Sequence, residues 1–163
     1  MSNTKHTLVA LVEDKPGVLA RVASLFRRRS FNIESIAVGC SEQPGLSRMT
    51  VVVGGDSAEV EQVRKQLDKL INVVRVSDIT EEEIVARELA LIKVKASAST
   101  RSEIIQIVDI FRANIVDVAS GSLTVEVTGD EDKIDSLLEL LRSFGIKEIS
   151  RTGRIALTRG GIQ

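Results

Sequence analysis

The sequence predicts an α+β chain built from two tandem ferredoxin-like βαββαβ units. Two observations carry this. Apolar runs with strand character alternate with stretches of 3.6-residue period in the order strand, helix, strand, strand, helix, strand, and that order occurs twice. Short segments also recur between the halves. Phe26-Arg27 before Asn32-Ile33 is echoed by Phe111-Arg112 before Asn114-Ile115, and Gly55-Asp56 by Gly129-Asp130 at the same strand-to-helix junction.

The first unit opens on an apolar run, His6 to Val12, read as a strand. Asp14-Lys15-Pro16-Gly17-Val18-Leu19 follows and leads into a helix marked by Leu19, Val22, Ala23 and Phe26. Pro16 suits the first turn of a helix, where its missing N–H costs nothing. Gly17 leaves no side chain over the turn. Such a turn presents unpaired N–H groups at the positive end of a helix dipole, a seat for a carboxylate. Arg27, Arg28 and Arg29 read as cations favoured at the helix C-terminus rather than as an anion patch. Asn32 to Val38 is a strand of imperfect alternation. Pro44 and Gly45 mark a hairpin end, and Leu46 to Val53 is its second strand. Asp56 or Ser57 caps a helix whose apolar face is Val60, Val63, Leu67 and Leu70, and Val73 to Ile79 closes the unit.

Thr80-Glu81-Glu82-Glu83 breaks the pattern with charge, as a linker or the edge of the next element. In the second unit Glu88 to Val94 is a strand. Thr100-Arg101-Ser102-Glu103 fits a capping box before a helix with Ile104, Ile107, Val108 and Phe111 on its apolar face. Ile115 to Val118 and Leu123 to Val127 are strands. Asp130 opens a helix with Ile134, Leu137, Leu138 and Leu141 inward, Ile146 to Ser150 ends the unit, and Ile155 to Thr158 is a further short strand. Ala98-Ser99-Thr100-Arg101 stands where the first unit has its Pro-Gly turn, so the second unit is expected to lack the anion seat.

Composition narrows the function. The 163 residues include four Phe and no Trp or Tyr, so the cores are aliphatic. A net charge of −1 argues against a general nucleic-acid binder. No apolar run reaches membrane-spanning length and no signal peptide is visible, so the expected setting is the cytoplasm. The single Cys40 excludes an internal disulfide or thiolate cluster and reads as a small apolar residue. His6, the single histidine, reads as structural or solvated. With no P-loop, nucleophile elbow or His-based metal motif, neither catalytic nor metal-ligating residues are assigned.

The segments Asp14-Lys15-Pro16-Gly17-Val18-Leu19 and Phe31-Asn32-Ile33-Glu34-Ser35-Ile36 together resemble the ACT domain of the acetohydroxyacid (acetolactate) synthase small, regulatory subunit. Leu46-Ser47-Arg48-Met49-Thr50 is similar to that family's second hairpin strand. Arg87 to Val94, Phe111 to Val118 and Ile146 to Gly153 resemble its C-terminal domain. The resemblance covers nearly the whole chain and implies an ACT domain over 4–80, a linker over 81–86 and a C-terminal ferredoxin-like domain over 87–160. Asp14 departs from an idealised site, where a neutral Asn would not repel a ligand's carboxylate.

The resemblance further implies a non-catalytic subunit of valine, leucine and isoleucine biosynthesis, with no cofactor of its own. Its partner would be the large catalytic subunit, which uses thiamine diphosphate, magnesium and FAD to condense pyruvate with a second 2-keto acid. The small subunit would raise that activity and confer feedback inhibition by a branched-chain amino acid, most often valine. ACT domains would pair side by side in a homodimer. Asp14, Pro16, Gly17, Val18 and Leu19 of one chain would hold the effector's backbone, and Asn32 and Ile33 of the other would complete the pocket. The residues are compatible with that role: N–H groups of Gly17, Val18 and Leu19 for the carboxylate, the Asn32 amide oxygen and Asp14 for the ammonium. A free-standing ACT-domain sensor regulating another enzyme or transcription is the alternative. An enzyme is disfavoured by the missing nucleophile–base pair.

Overall fold

A computed structural model describes residues 4–29 and 31–160. Contacts divide the chain into two compact units. Residues up to Val85 and those from Arg154 onward form the first, and Ala86–Gly153 the second.

In the first unit β1 (Thr4–Glu13), α1 (Val18–Arg28), β2 (Asn32–Cys40), β3 (Leu46–Gly55), α2 (Ser57–Asp68) and β4 (Val73–Asp78) follow in the expected order. The antiparallel sheet is ordered β2-β3-β1-β4, so β2 and β4 are its edges. Alternation along β1 puts Leu8, Ala10 and Val12 against Val22 and Phe26 of α1 and Val60, Val63 and Leu67 of α2. Phe26 and Phe31 meet edge to face, centroids 6.5 Å apart, and a Cβ on Gly55 would lie 2.8 Å from the Phe31 ring. Asp56 is the α2 cap, accepting the Ala58 N–H at 2.8 Å.

The opposite face of this sheet is also buried, at Thr7, Val9, Leu11, Thr50 and Val52. Part of the cover is the C-terminal segment with β9 (Ile155–Thr158). Arg154 Nη1 donates to Thr7 Oγ1 at 3.0 Å, Arg48 Nη2 to the Ala156 carbonyl at 2.8 Å, and the Arg159 N–H to the Glu83 carbonyl at 2.7 Å.

The second unit has β5 (Ile84–Lys95), α3 (Arg101–Ile110), β6 (Asn114–Val118), β7 (Ser122–Gly129), α4 (Glu131–Leu141), a 3-10 turn at Arg142–Phe144 and β8 (Ile146–Arg151). Its strand order β6-β7-β5-β8 repeats the first, bulge included: pairing slips between Ile33 and Ser35 in one unit and between Ile115 and Asp117 in the other, each just after an Asn-Ile pair. Both halves are therefore ferredoxin-like. β5 starts four residues before the expected Glu88, because Ile84 and Val85 continue its alternation. Asp130 caps α4 through the Lys133 N–H at 2.9 Å. The expected capping box on α3 is absent. Thr100 has near-helical dihedrals and makes no cap bond; its hydroxyl instead accepts the Ser97 N–H at 2.9 Å, a local turn that competes with the cap.

Candidate functional site

The Asp14–Leu19 turn joins the end of β1 to the start of α1. The Asp14 N–H donates to the Gly45 carbonyl at 2.9 Å, which ties the turn to the β2–β3 loop. The Lys15 N–H donates to the Glu13 carbonyl at 2.9 Å. Pro16 lies before the helix rather than in its first turn: the N-cap is Gly17, and α1 begins at Val18. Gly17 is left-handed, with φ 86° and ψ −10°, a conformation that costs an ordinary L-residue about 1–2 kcal/mol. It offers no side chain to cap the helix.

The first helical bond runs from the Arg21 N–H to the Gly17 carbonyl at 3.1 Å. The Val18 N–H reaches only the Lys15 carbonyl at 3.4 Å, while the Gly17 and Leu19 N–H groups make no bond among the described residues. Val18 packs its side chain into the core and Leu19 stands half exposed. Of the four α-helices among the described residues, α1 alone has no acidic residue in its first turn; α3 carries Glu103 there, with the Ser97, Ser99 and Thr100 hydroxyls bonded to one another. The first turn of α1 in the first unit thus carries no acid, whereas that of α3, its counterpart in the second, does.

Asn32 and Ile33 lie elsewhere in the same chain. Asn32 and Lys5 both pair with Gly54, whereas the turn follows Glu13, which pairs with Leu46. The eight residue steps from Lys5 to Glu13 separate the two places by roughly 26 Å along the sheet. Asn32 is exposed at the start of edge strand β2, and Ile33 packs on the first core. No single chain can close these residues into one pocket. At the turn end of β2, Ile36 (38% exposed), Val38 (50%) and Leu19 (50%) leave apolar surface uncovered beside an unprotected strand edge.

Behind the turn lies a polar bracket that the sequence did not announce. Asn72, in the α2–β4 loop, accepts from Arg21 Nη1 and donates through Nδ2 to Glu13 Oε2 at 2.8 Å. The Glu13 N–H donates to the Asn72 carbonyl at 2.8 Å, and Lys15 Nζ lies 3.1 Å from Glu13 Oε2. The Asn72 hydrogen bond, then Lys15, hold the Glu13 carboxyl below its usual pKa. The one sequence signal that could have pointed to it is the opposite charges of Glu13 and Lys15 on either side of Asp14.

Residues 8–75 match the family described as AHAS small subunit-like ACT domain, and residues 87–160 the family described as small subunit of acetolactate synthase. The chain is 59% identical over 156 residues to the Archaeoglobus fulgidus "Probable acetolactate synthase small subunit", covering 96% of this chain and 98% of that one. It is 56% identical over 160 residues to the acetolactate synthase small subunit of Mycobacterium bovis, covering 98% and 95%. The chain belongs to the acetolactate synthase small-subunit family. The crystal structure of the small subunit from Thermotoga maritima superposes with a TM-score of 0.89 at 44% identity, covering 98% of this chain and 99% of that one. Residues 8–75 of the first unit therefore form an ACT domain, and the expected small-subunit identity holds over both units.

Other chemically capable residues of this family member stay apart from the turn. His6 is 4% exposed on β1, with Nδ1 3.3 Å from Asp78 Oδ2. Cys40 is exposed at the end of β2, where the sequence suggested only a small apolar residue. Arg27 and Arg28 sit in the last turn of α1, as expected. A shallow cavity lined by Arg29, Phe31, Ala58, Glu59 and Gln62 lies at the opposite end of the sheet. Among the described residues no cluster of three or more His, Cys, Asp or Glu could hold a metal, and no helix is long and apolar enough to cross a membrane.

Proposed function

We propose that this chain is the cytoplasmic regulatory subunit of an acetolactate synthase: it binds a branched-chain amino acid, foremost valine, between two ACT domains, and it activates and feedback-inhibits a large catalytic subunit. In this reading residues 4–80 form the ACT domain, 81–86, whose last three residues already run in β5, join the two halves, and 87–160 form the C-terminal domain, whose tail from Arg154 onward lies with the first unit and which contributes to activation. The thiamine diphosphate, magnesium and FAD of the reaction belong to the partner. The observation that carries the reading is the pairing of an uncapped, acid-free helix start at Gly17 with an edge strand whose Asn32 lies at the wrong end of its own sheet.

Two-fold antiparallel pairing of β2 with a second copy brings the start of one strand to the end of the other. Asn32 and Ile33 of the partner subunit then approach the turn. Gly17, Val18 and Leu19 N–H groups take the carboxylate, Asn32 of the partner subunit and Asp14 take the ammonium, and Leu19, Ile36 and Val38 supply apolar cover. Because both chains build each site, occupancy is linked to dimer geometry.

Reconstitution with the large subunit tests the role. The chain alone is expected to form no acetolactate and the mixture to exceed the large subunit alone, with valine, leucine and isoleucine titrated for inhibition. Turnover by the isolated chain would refute the non-catalytic role. The shared site has its own test. Asn32→Ala removes one charge-assisted hydrogen bond, about 1.5–3 kcal/mol, and is expected to weaken valine about tenfold or more. A mixed dimer of Asn32→Ala and Gly17→Asp chains carries both lesions in one site and none in the other, so half the sites should bind valine normally. No recovery in the mixed dimer would place each site within one chain.

A further inference from the structure

Resting on the effector reading above, we propose that Asn72 is a positioning residue of the valine seat: its carboxamide holds the Glu13 carboxylate back from the turn, so that the ligand carboxylate is not met by a second anion.

The seat has an electrostatic problem. It is built to receive a carboxylate, yet two acids, Glu13 and Asp14, immediately precede it. Asp14 can serve the ligand's ammonium. Glu13 has no such use, and it stays ionised, since its hydrogen bonds to Asn72 and Lys15 lower its pKa. A free Glu13 side chain at the end of β1 could turn toward the positive end of α1 and occupy the N–H groups meant for the effector. Asn72 prevents this from a loop that is distant in sequence. Its Nδ2 donates to Glu13 Oε2 at 2.8 Å, and its Oδ1 accepts from Arg21, one helical turn beyond the N-cap. A carboxamide donates to an anion and accepts from a cation at once; aspartate keeps the second function and reverses the first. The same amide therefore fixes the start of α1 against the end of β1 while it holds the competing charge.

The test is calorimetric titration of L-valine into the full-length chain, with thermal melts as the check on folding. Loss of the restraint on one unit charge near the seat is expected to weaken valine about three- to tenfold in Asn72→Ala. Asn72→Asp, nearly the same shape, is expected to weaken it further. The Asn72→Ala deficit should shrink in high salt, because it is a repulsion between anions. Glu13→Gln added to Asn72→Ala should recover most of the affinity. Absence of that rescue, or equal losses in Asn72→Ala and Asn72→Asp, would reduce Asn72 to a structural role and overturn the proposal. Wild-type affinity in Asn72→Ala beside lost binding in Gly17→Asp would also overturn it, yet leave the effector site standing. Wild-type affinity in Gly17→Asp would remove the site and this inference together.

Discussion

Gly17→Asp is expected to weaken valine at least about tenfold and to make the reconstituted enzyme resistant to feedback inhibition, while the chain still dimerises and activates. The introduced carboxylate meets open space, since nothing lies within 4 Å of a Cβ at this position. It competes for the same N–H donors as the ligand and repels the ligand's charge. Losing one or two charge-assisted hydrogen bonds, at about 1.5–3 kcal/mol each, accounts for the size of the effect. Left-handed backbone at Gly17 adds strain of about 1 kcal/mol, with aspartate among the few residues that tolerate it, and a negative charge at the N-terminus of α1 returns a few tenths. Gly17→Ala separates the two effects, because it carries the strain without the charge. Similar small losses of stability in both variants, with effector resistance confined to Gly17→Asp, would establish the carboxylate seat. Wild-type inhibition of Gly17→Asp would mean that the effector binds elsewhere.

The elements were legible because period carried them. Leu8, Ala10 and Val12 alternate, Val60, Val63 and Leu67 recur at helical spacing, and both sets are in the first core. The repeat was legible from Asn-Ile and Gly-Asp pairs that mark a bulge and a helix cap in each half. Local hydroxyl chemistry was not: Thr100 and Glu103 have capping-box spacing, but Ser97 takes the Thr100 hydroxyl first. The positive φ of Gly17 could be posed from sequence only as a condition, since a glycine is compatible with either hand. Asn72 was invisible, because a loop asparagine carries no mark of which strand end and which helix it will meet. The separation of Asn32 from the turn needed the register. Motifs close in sequence do not give the distance between them; the pairing of Asn32 and Lys5 with the same residue, Gly54, does.

Arg151→Ala is expected to destabilise the second unit by about 2–4 kcal/mol. Glu88 is 8% exposed on β5 and faces the helices beside Ala90 and Ile92. Its carboxylate takes both Nε and Nη2 of Arg151, with Nε to Oε1 at 3.1 Å, and Arg151 Nη1 reaches Asp135 Oδ1 on α4 at 2.8 Å. One guanidinium thus joins a central strand, an edge strand and a helix. Burial works against the Arg151 charge, but the hydrogen bonds to Glu88 and Asp135 outweigh it and raise its pKa. Truncating Arg151 leaves a buried carboxylate with no cation, a fault of about 3–5 kcal/mol when the pair is wholly buried. The 30% exposure of the Arg151 side chain lowers that figure by solvent screening. Replacing both partners with apolar residues, as in Glu88→Leu with Arg151→Met, is expected to recover most of the loss, because the penalty lies in the orphaned charge. Urea melts give the size, and faster amide exchange in β5 and β8 locates it. If Arg151→Ala lies within about 0.5 kcal/mol of the unaltered chain, water reaches Glu88 well enough to replace the arginine, and the triad holds nothing together.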